Sequence, residues 1–142
     1  MSRSASLSLD CSLYSSSITN IITLFNKIGW GFIDNQMEYL PVNDNDMFDW
    51  QKEPLSLEKL FSVISQKQNI GEMIGVILYH NKSDKGVLFL ARDTKDILLV
   101  IDINRERINN KYTDISWYIE NIVAELEKCG CIIEKYEFSE LI

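Results

Sequence analysis

The sequence predicts an α+β fold: a mainly antiparallel sheet built on a central β-meander, with about three helices packed on it. Three observations carry this. Between Met73 and Ile103 lie three apolar runs, rich in β-branched and aromatic residues and split by short charged turns, which is the pattern of a meander. Three other stretches carry apolar residues at helical spacing. The resulting order, β-α-ββ-α-βββ-α-β, clusters its strands instead of alternating them with helices, as antiparallel α+β folds do. No repeat or linker divides the 142 residues, so residues 1–142 read as one globular domain.

Taken in order, Ala5, Leu7, Leu9, Cys11 and Leu13 alternate with Ser4, Ser6, Ser8, Asp10 and Ser12, the period of a half-buried strand. A Ser-rich flexible terminus is the competing reading of that stretch. Ser16 or Ser17 then caps a helix with Ile18, Ile21, Ile22, Phe25 and Ile28 on one stripe and Gly29 placed to end it. Residues 30–33 and 37–40 flank Asp34-Asn35-Gln36 as a short hairpin. Residues 42–54 lack periodicity. Ser56 caps a second helix along Leu57, Leu60, Phe61 and Ile64, with Glu58 in its first turn.

In the third meander strand, Ile97, Leu99, Ile101 and Ile103 share one face and Leu98 and Val100 the other, which predicts a central strand with both sides largely covered. Residues 105–112 read as a polar, basic connection. Thr113 or Asp114 opens a third helix whose inner stripe is Ile115, Tyr118, Ile119, Ile122, Leu126 and Cys129, and Gly130 stops it. Residues 131–138 form the last strand. Three helices are few for a meander apolar on both sides. The pattern therefore predicts either helices on both faces or a self-associating patch, with a monomer bound one-to-one to its partner preferred to a homodimer.

Composition narrows the function. The chain is 46% hydrophobic and 25% charged, the make-up of a soluble globular protein, and its apolar runs of five to seven residues fall far short of a membrane helix. Residues 1–13 hold no continuous apolar segment, so a cytoplasmic protein without a secretory signal is expected. The net charge of -7 argues against direct binding of nucleic acid or anionic membrane and points to a basic partner.

Chemical motifs are scarce. Cys11, Cys129 and Cys131 read as reduced thiols, since a zinc site built on Cys129 and Cys131 would have to draw on Cys11 and His80. No metal and no cofactor are expected. His80, the single histidine, shares a strand face with Ile74, Val76 and Leu78 and reads as structural, and no motif supplies it with a nucleophile. A calcium loop starting at Asp44 fails because Phe48, Asp49 and Leu55 occupy its fifth, sixth and twelfth positions. The expectation is a protein that is not an enzyme.

One segment departs from the background. Residues 34–53 carry Asp34, Glu38, Asp44, Asp46, Asp49 and Glu53 against Lys52 alone, a net -5 in 20 residues that leaves -2 for the other 122. Phe48 and Trp50 are interleaved with these acids. An acidic rim around aromatic anchors suits a surface that binds a basic protein. The three aspartates from Asp44 to Asp49 are expected to face solvent and to bear little on stability. A solvated loop whose Met47, Phe48 and Trp50 fold back onto the core is the competing reading, with Trp50 assigned to the interface and Phe48 left open.

Five stretches carry a family resemblance: Gly29-Trp30, Met37-Glu38-Tyr39-Leu40-Pro41, Asp46-Met47-Phe48-Asp49-Trp50, Gly71-Glu72-Met73-Ile74-Gly75-Val76 and Thr113-Asp114-Ile115-Ser116-Trp117-Tyr118. Through them the chain resembles the small cytosolic immunity proteins of bacterial polymorphic and contact-dependent growth inhibition toxin systems. The resemblance implies a non-enzymatic inhibitor that binds one toxin C-terminal domain, of basic nuclease or tRNase type, and blocks its active site or substrate surface. Two other classes compete: an intracellular adaptor or regulator for another basic protein, and a small ligand-binding domain or enzyme with a cleft near His80 or Arg92.

Overall fold

A computed structural model describes residues 4–33 and 36–141. It confirms the α+β class and the mainly antiparallel sheet. Strands β1 (Ser4–Asp10), β2 (Trp30–Gly31), β3 (Met37–Tyr39), β4 (Gln51–Glu53), β5 (Ile74–His80), β6 (Gly86–Ala91) and β7 (Ile97–Ile103) belong to the main sheet. The pair β8 (Arg107–Ile108) and β9 (Tyr112–Thr113) forms a separate hairpin, and β10 (Lys135–Leu141) returns to the sheet. The order across the main sheet is β10-β1-β7-β6-β5-β3-β4, with β2 also paired to β5.

The meander forms because each run is long enough to pair along its length, from Ile74 opposite Ala91 to Tyr79 opposite Gly86, and on to Ala91 opposite Ile97. A bulge between Gly86 and Leu88 shifts the β6–β7 register near its end. The period-two reading of β1 holds as far as Asp10: Ala5, Leu7 and Leu9 are buried and the strand pairs with β7 and β10, but the chain then turns, and Leu13, expected on the buried side, is exposed. One sheet face is covered by α1 (Ile18–Lys27), α2 (Leu57–Ile70) and a third helix. That face supplies the core, with Leu7, Val76, Leu78, Phe89, Leu99 and Ile101 packed beneath Ile21, Phe25, Leu60, Ile64, Tyr118 and Ile122.

Several local expectations are corrected. Among the described residues, 30–33 and 37–40 make no hairpin ladder with each other: β2 and β3 both pair with β5, and an isolated bridge joins Ile33 to Gln36. The 42–54 stretch contains β4, and the basic connection contains the β8–β9 hairpin. The last strand starts at Lys135, later than position 131.

The helices also differ in detail. Ser17 precedes α1 without a side-chain cap. Instead Gln68 of α2 accepts from the Ile18 N–H at 3.0 Å and donates to the Ser16 carbonyl at 2.7 Å, so α2 caps α1 from outside. Asp114 caps the third helix through the Trp117 N–H. That helix runs through α3 (Ile115–Tyr118), a π-helical turn (Ile119–Val123) and α4 (Ala124–Lys128). The wide turn rotates the buried stripe to Tyr118, Ile122, Val123 and Leu126 and leaves Ile115 exposed, contrary to the regular spacing read from sequence. Trp30 Nε1 donates to the Asn121 carbonyl at 3.0 Å, and Asn121 Nδ2 donates to the Trp117 carbonyl at 2.8 Å, so side chains occupy the carbonyls around this turn.

Candidate functional site

The acidic segment lies at the β3–β4 end of the sheet, where residues 40–50 connect those two strands. Its backbone is unusual: Asn43, Asn45, Asp46 and Phe48 all have positive φ, between 54° and 65°. Asn and Asp tolerate this conformation, but an aromatic residue there costs on the order of 1 kcal/mol or more. Such a loop persists only if its surroundings fix it.

They do so through the carboxylates. Lys67, fully buried on α2, sits 3.2 Å from Asp44 Oδ1, donates to the Pro41 carbonyl at 2.8 Å and lies 3.8 Å from Glu72. Asp44 Oδ1 also accepts from the Asp46 N–H. Glu72 accepts from the Asn43 and Asn45 N–H groups. Asp46 accepts from the Met73 N–H at 2.8 Å and pairs with Arg92 Nη2 at 2.8 Å. These contacts, the Met73 bond first and Arg92 next, hold the Asp46 carboxyl below the usual carboxylate range.

The expectation that Asp44 and Asp46 face outward is therefore corrected. Asp44 is buried and Asp46 is engaged on both oxygens, because a loop with this backbone needs charged anchors beneath it. Sequence reasoning missed Lys67, yet a signal was present: Leu60, Ile64 and Lys67 fall on one helical stripe, so the lysine takes an apolar position.

Glu38 and Glu53 remain nearer the surface, each accepting from a tyrosine hydroxyl. Tyr79 donates to Glu38 at 2.7 Å and Tyr39 donates to Glu53. Burial, and then the adjoining carboxylate, pushes both phenols up to about 12, so they stay protonated donors at neutral pH. Asp49 is exposed. Asp34 lies outside the described residues.

The apolar residues of the segment divide. Trp50 is half-buried, and its ring edge together with Leu40 lies over Gly75 of β5, where a Cβ would meet Leu40 Cδ1 at 2.7 Å and Trp50 Cη2 at 3.0 Å. Trp50 thus folds back onto the sheet, on the side away from the helices. Met47 and Phe48 project instead, 77% and 46% exposed. The loop brings Met47, Phe48 and Asp49 together at its tip, while Asp44 and Asp46 serve as its anchors.

His80 lies elsewhere. Its ring packs against Trp30 and Trp117, at centroid distances of 4.9 and 5.3 Å, and its Nδ1 is 2.8 Å from Ser83 Oγ in the β5–β6 turn. Burial, with Lys82 adding to it, lowers the imidazole pKa. Ser83 Oγ also accepts from the Lys85 N–H, as a turn-closing hydroxyl does. Among the described residues no carboxylate hydrogen-bonds the His80 ring, and no cluster of His, Cys, Asp and Glu has the geometry to hold a metal. Cys11 and Cys131 are buried free thiols, and burial raises both. A surface cavity of about 620 Å³ opens between α1, the start of α2 and β2–β3, lined by Asn26, Phe32, Met37, Leu55 and Lys59 among others. No described helix is long and apolar enough to cross a membrane.

Set beside known protein families, curated proteins and solved structures, the chain matches none of them.

Proposed function

We propose that this chain is an immunity-type inhibitor, a non-enzymatic protein that binds one basic toxin domain and occludes its active site or substrate surface. The observation that carries this reading is the tip of the 43–50 loop. There a strained aromatic, Phe48, and the neighbouring Met47 stand in solvent beside Asp49, on a backbone braced from below by Lys67 and Arg92. Exposing two large apolar groups and holding one in a disfavoured conformation both cost folding energy, so their placement is best understood as a contact surface. Rigid bracing lowers the ordering cost of binding. Acid beside the apolar tip suits the basic face of a nuclease or tRNase, as the family resemblance implies. On this reading the inhibitor works in the cytoplasm, where such a toxin meets its substrate.

The first test is whether a toxin gene lies immediately upstream, and the second is co-expression with the C-terminal domain that such a gene encodes. Growth protection and a one-to-one complex are expected, with Phe48→Ala and Met47→Ala together weakening binding at least tenfold. Binding without protection would favour the adaptor reading, and neither binding nor protection would end both for that partner.

A further inference from the structure

The sheet has one face with helices and one without. Strand β1 shows how this chain builds a solvated face, with Ser6, Ser8 and Asp10 opposite the buried Ala5, Leu7 and Leu9. The central strands do not follow that rule. Pairing registers place Gly75, Leu90, Leu98 and Ser8 in one row across the open face, and Ile77, Leu88, Val100 and Ser6 in the next. The side chains of Ile77, Leu88, Leu90 and Val100 are half-buried, and Leu98 is 36% exposed. The sequence pattern predicts that this side is largely covered. It is covered only at its β5 margin, where Leu40 and Trp50 lie over Gly75. The apolar patch is therefore continuous with the root of the acidic loop.

Its borders decide the occupant. The border carries Glu38, beside Tyr79 and opposite Lys52 at the β3–β4 margin, Asp49 in the adjoining loop, Glu137 opposite Ser8 on β10 with Lys135 3.7 Å from it, and exposed Asp96, next to Lys95, and Asp102 at the two ends of β7. Arg92, at one end of the patch, is paired to Asp46. Two copies of a chain carrying -7 would bring these carboxylates face to face, whereas a basic surface with an apolar centre would complement them.

We infer that the open sheet face, centred on Leu88, Leu90, Leu98 and Val100, is the main docking surface for the basic partner of the proposed function, with the 43–50 loop gripping its edge. This rests on the inhibitor reading and extends its footprint from a loop tip to a patch with the apolar centre and polar rim of a specific interface. A strand face is also a stiffer platform than a loop, which favours slow dissociation.

The test uses Leu98→Lys, at the most exposed of these positions, and Ile70→Lys as a control that adds the same charge to an exposed apolar site on α2. Affinity for the upstream-encoded toxin domain is measured by calorimetry, with melting curves on each variant and sedimentation of each chain alone. Leu98→Lys is expected to weaken binding at least tenfold while remaining folded and monomeric, and Ile70→Lys to change it less than twofold. If Leu98→Lys unfolds, Leu98→Ser replaces it and is expected to weaken binding at least threefold. Wild-type binding that the Leu98 variants leave unaltered would overturn the docking surface and spare the function. Absence of wild-type binding would remove both. A wild-type dimer dissolved by Leu98→Lys would make a second copy the occupant and also overturn the inference.

Discussion

At the scale of single residues, the acidic segment shows why charge in a sequence does not equal charge at a surface. Asp44 and Lys67 are a buried pair: removing Lys67 strands the Asp44 carboxylate in a low-dielectric setting, and removing Asp44 leaves Lys67 with Glu72 alone as a counter-charge, at 3.8 Å. Asp44→Asn is expected to cost about 3 kcal/mol or more of stability, and Lys67→Met a comparable amount. The double variant is expected to lose clearly less than the two losses added together, because Asp44 and Lys67 are then removed together and only the less buried Glu72 loses a counter-charge. Urea unfolding of the four proteins measures this, and strictly additive losses would remove the pair from the account of the loop. His80 offers a second residue-scale prediction. Its folded pKa is lowered by burial and then by Lys82, so the unfolded chain takes up the proton more readily. The neutral ring's contribution is therefore complete above the unfolded value of about 6.5 and is eroded as pH falls through it. The single imidazole is expected to titrate below 6.5 by NMR. Unfolding midpoints should drop between pH 7.5 and 5.5 by more in wild type than in His80→Gln.

At the scale of elements, legibility follows the length of the pattern. Strands β1 and β5–β7 and the start of each helix were readable because apolar period or capping chemistry extends over many positions. Strand β4 has three residues and β8 and β9 two each, too short for any period, and they form because neighbouring chain brings partners to them. The π-helical turn was invisible for a related reason: the Asn121 carbonyl within it accepts from Trp30, a partner distant in sequence that no local pattern announces. The site was half legible. Its composition named the segment, but the anchors of Asp44 and Asp46 come from α2 and the end of β6, and only tertiary structure joins them. Gly75 tests how the loop is seated on the sheet. Its absent side chain lets Leu40 and Trp50 lie flat on β5, and an added methyl would meet Leu40 at 2.7 Å. Gly75→Ala is expected to lower stability by about 1–3 kcal/mol, as overpacking does, and to shift tryptophan emission to the red as Trp50 lifts into water. A fluorescence spectrum and melting point matching wild type would mean that the loop can repack freely.

At the scale of the molecule, the charge that remains outward can be separated from the charge that builds the loop. Asp44 and Asp46 hold the fold, so neutralising them would confuse binding with stability. Glu38, Asp49 and Glu53 can be neutralised more cleanly. Glu38 and Glu53 act as acceptors from Tyr79 and Tyr39, and glutamine can still accept through its carbonyl oxygen, while Asp49 is exposed. The triple variant Glu38→Gln, Asp49→Asn, Glu53→Gln therefore removes three negative charges from one end of the sheet with the hydrogen-bond pattern kept. Exposed charges contribute under about 1 kcal/mol each to stability, so its melting temperature is expected to stay within a few degrees of wild type. Association with a basic toxin domain depends on the summed field of the approaching surface and is expected to slow about tenfold at low salt. That difference should shrink as added salt shortens the screening length from about 30 Å at 0.01 M toward 10 Å at 0.1 M. Dissociation, governed by the apolar contacts of Phe48 and the open sheet face, is expected to change little. Stopped-flow binding across a salt series resolves the two rates. An association rate unmoved by the triple variant at low salt would take these three carboxylates out of the recognition of the partner.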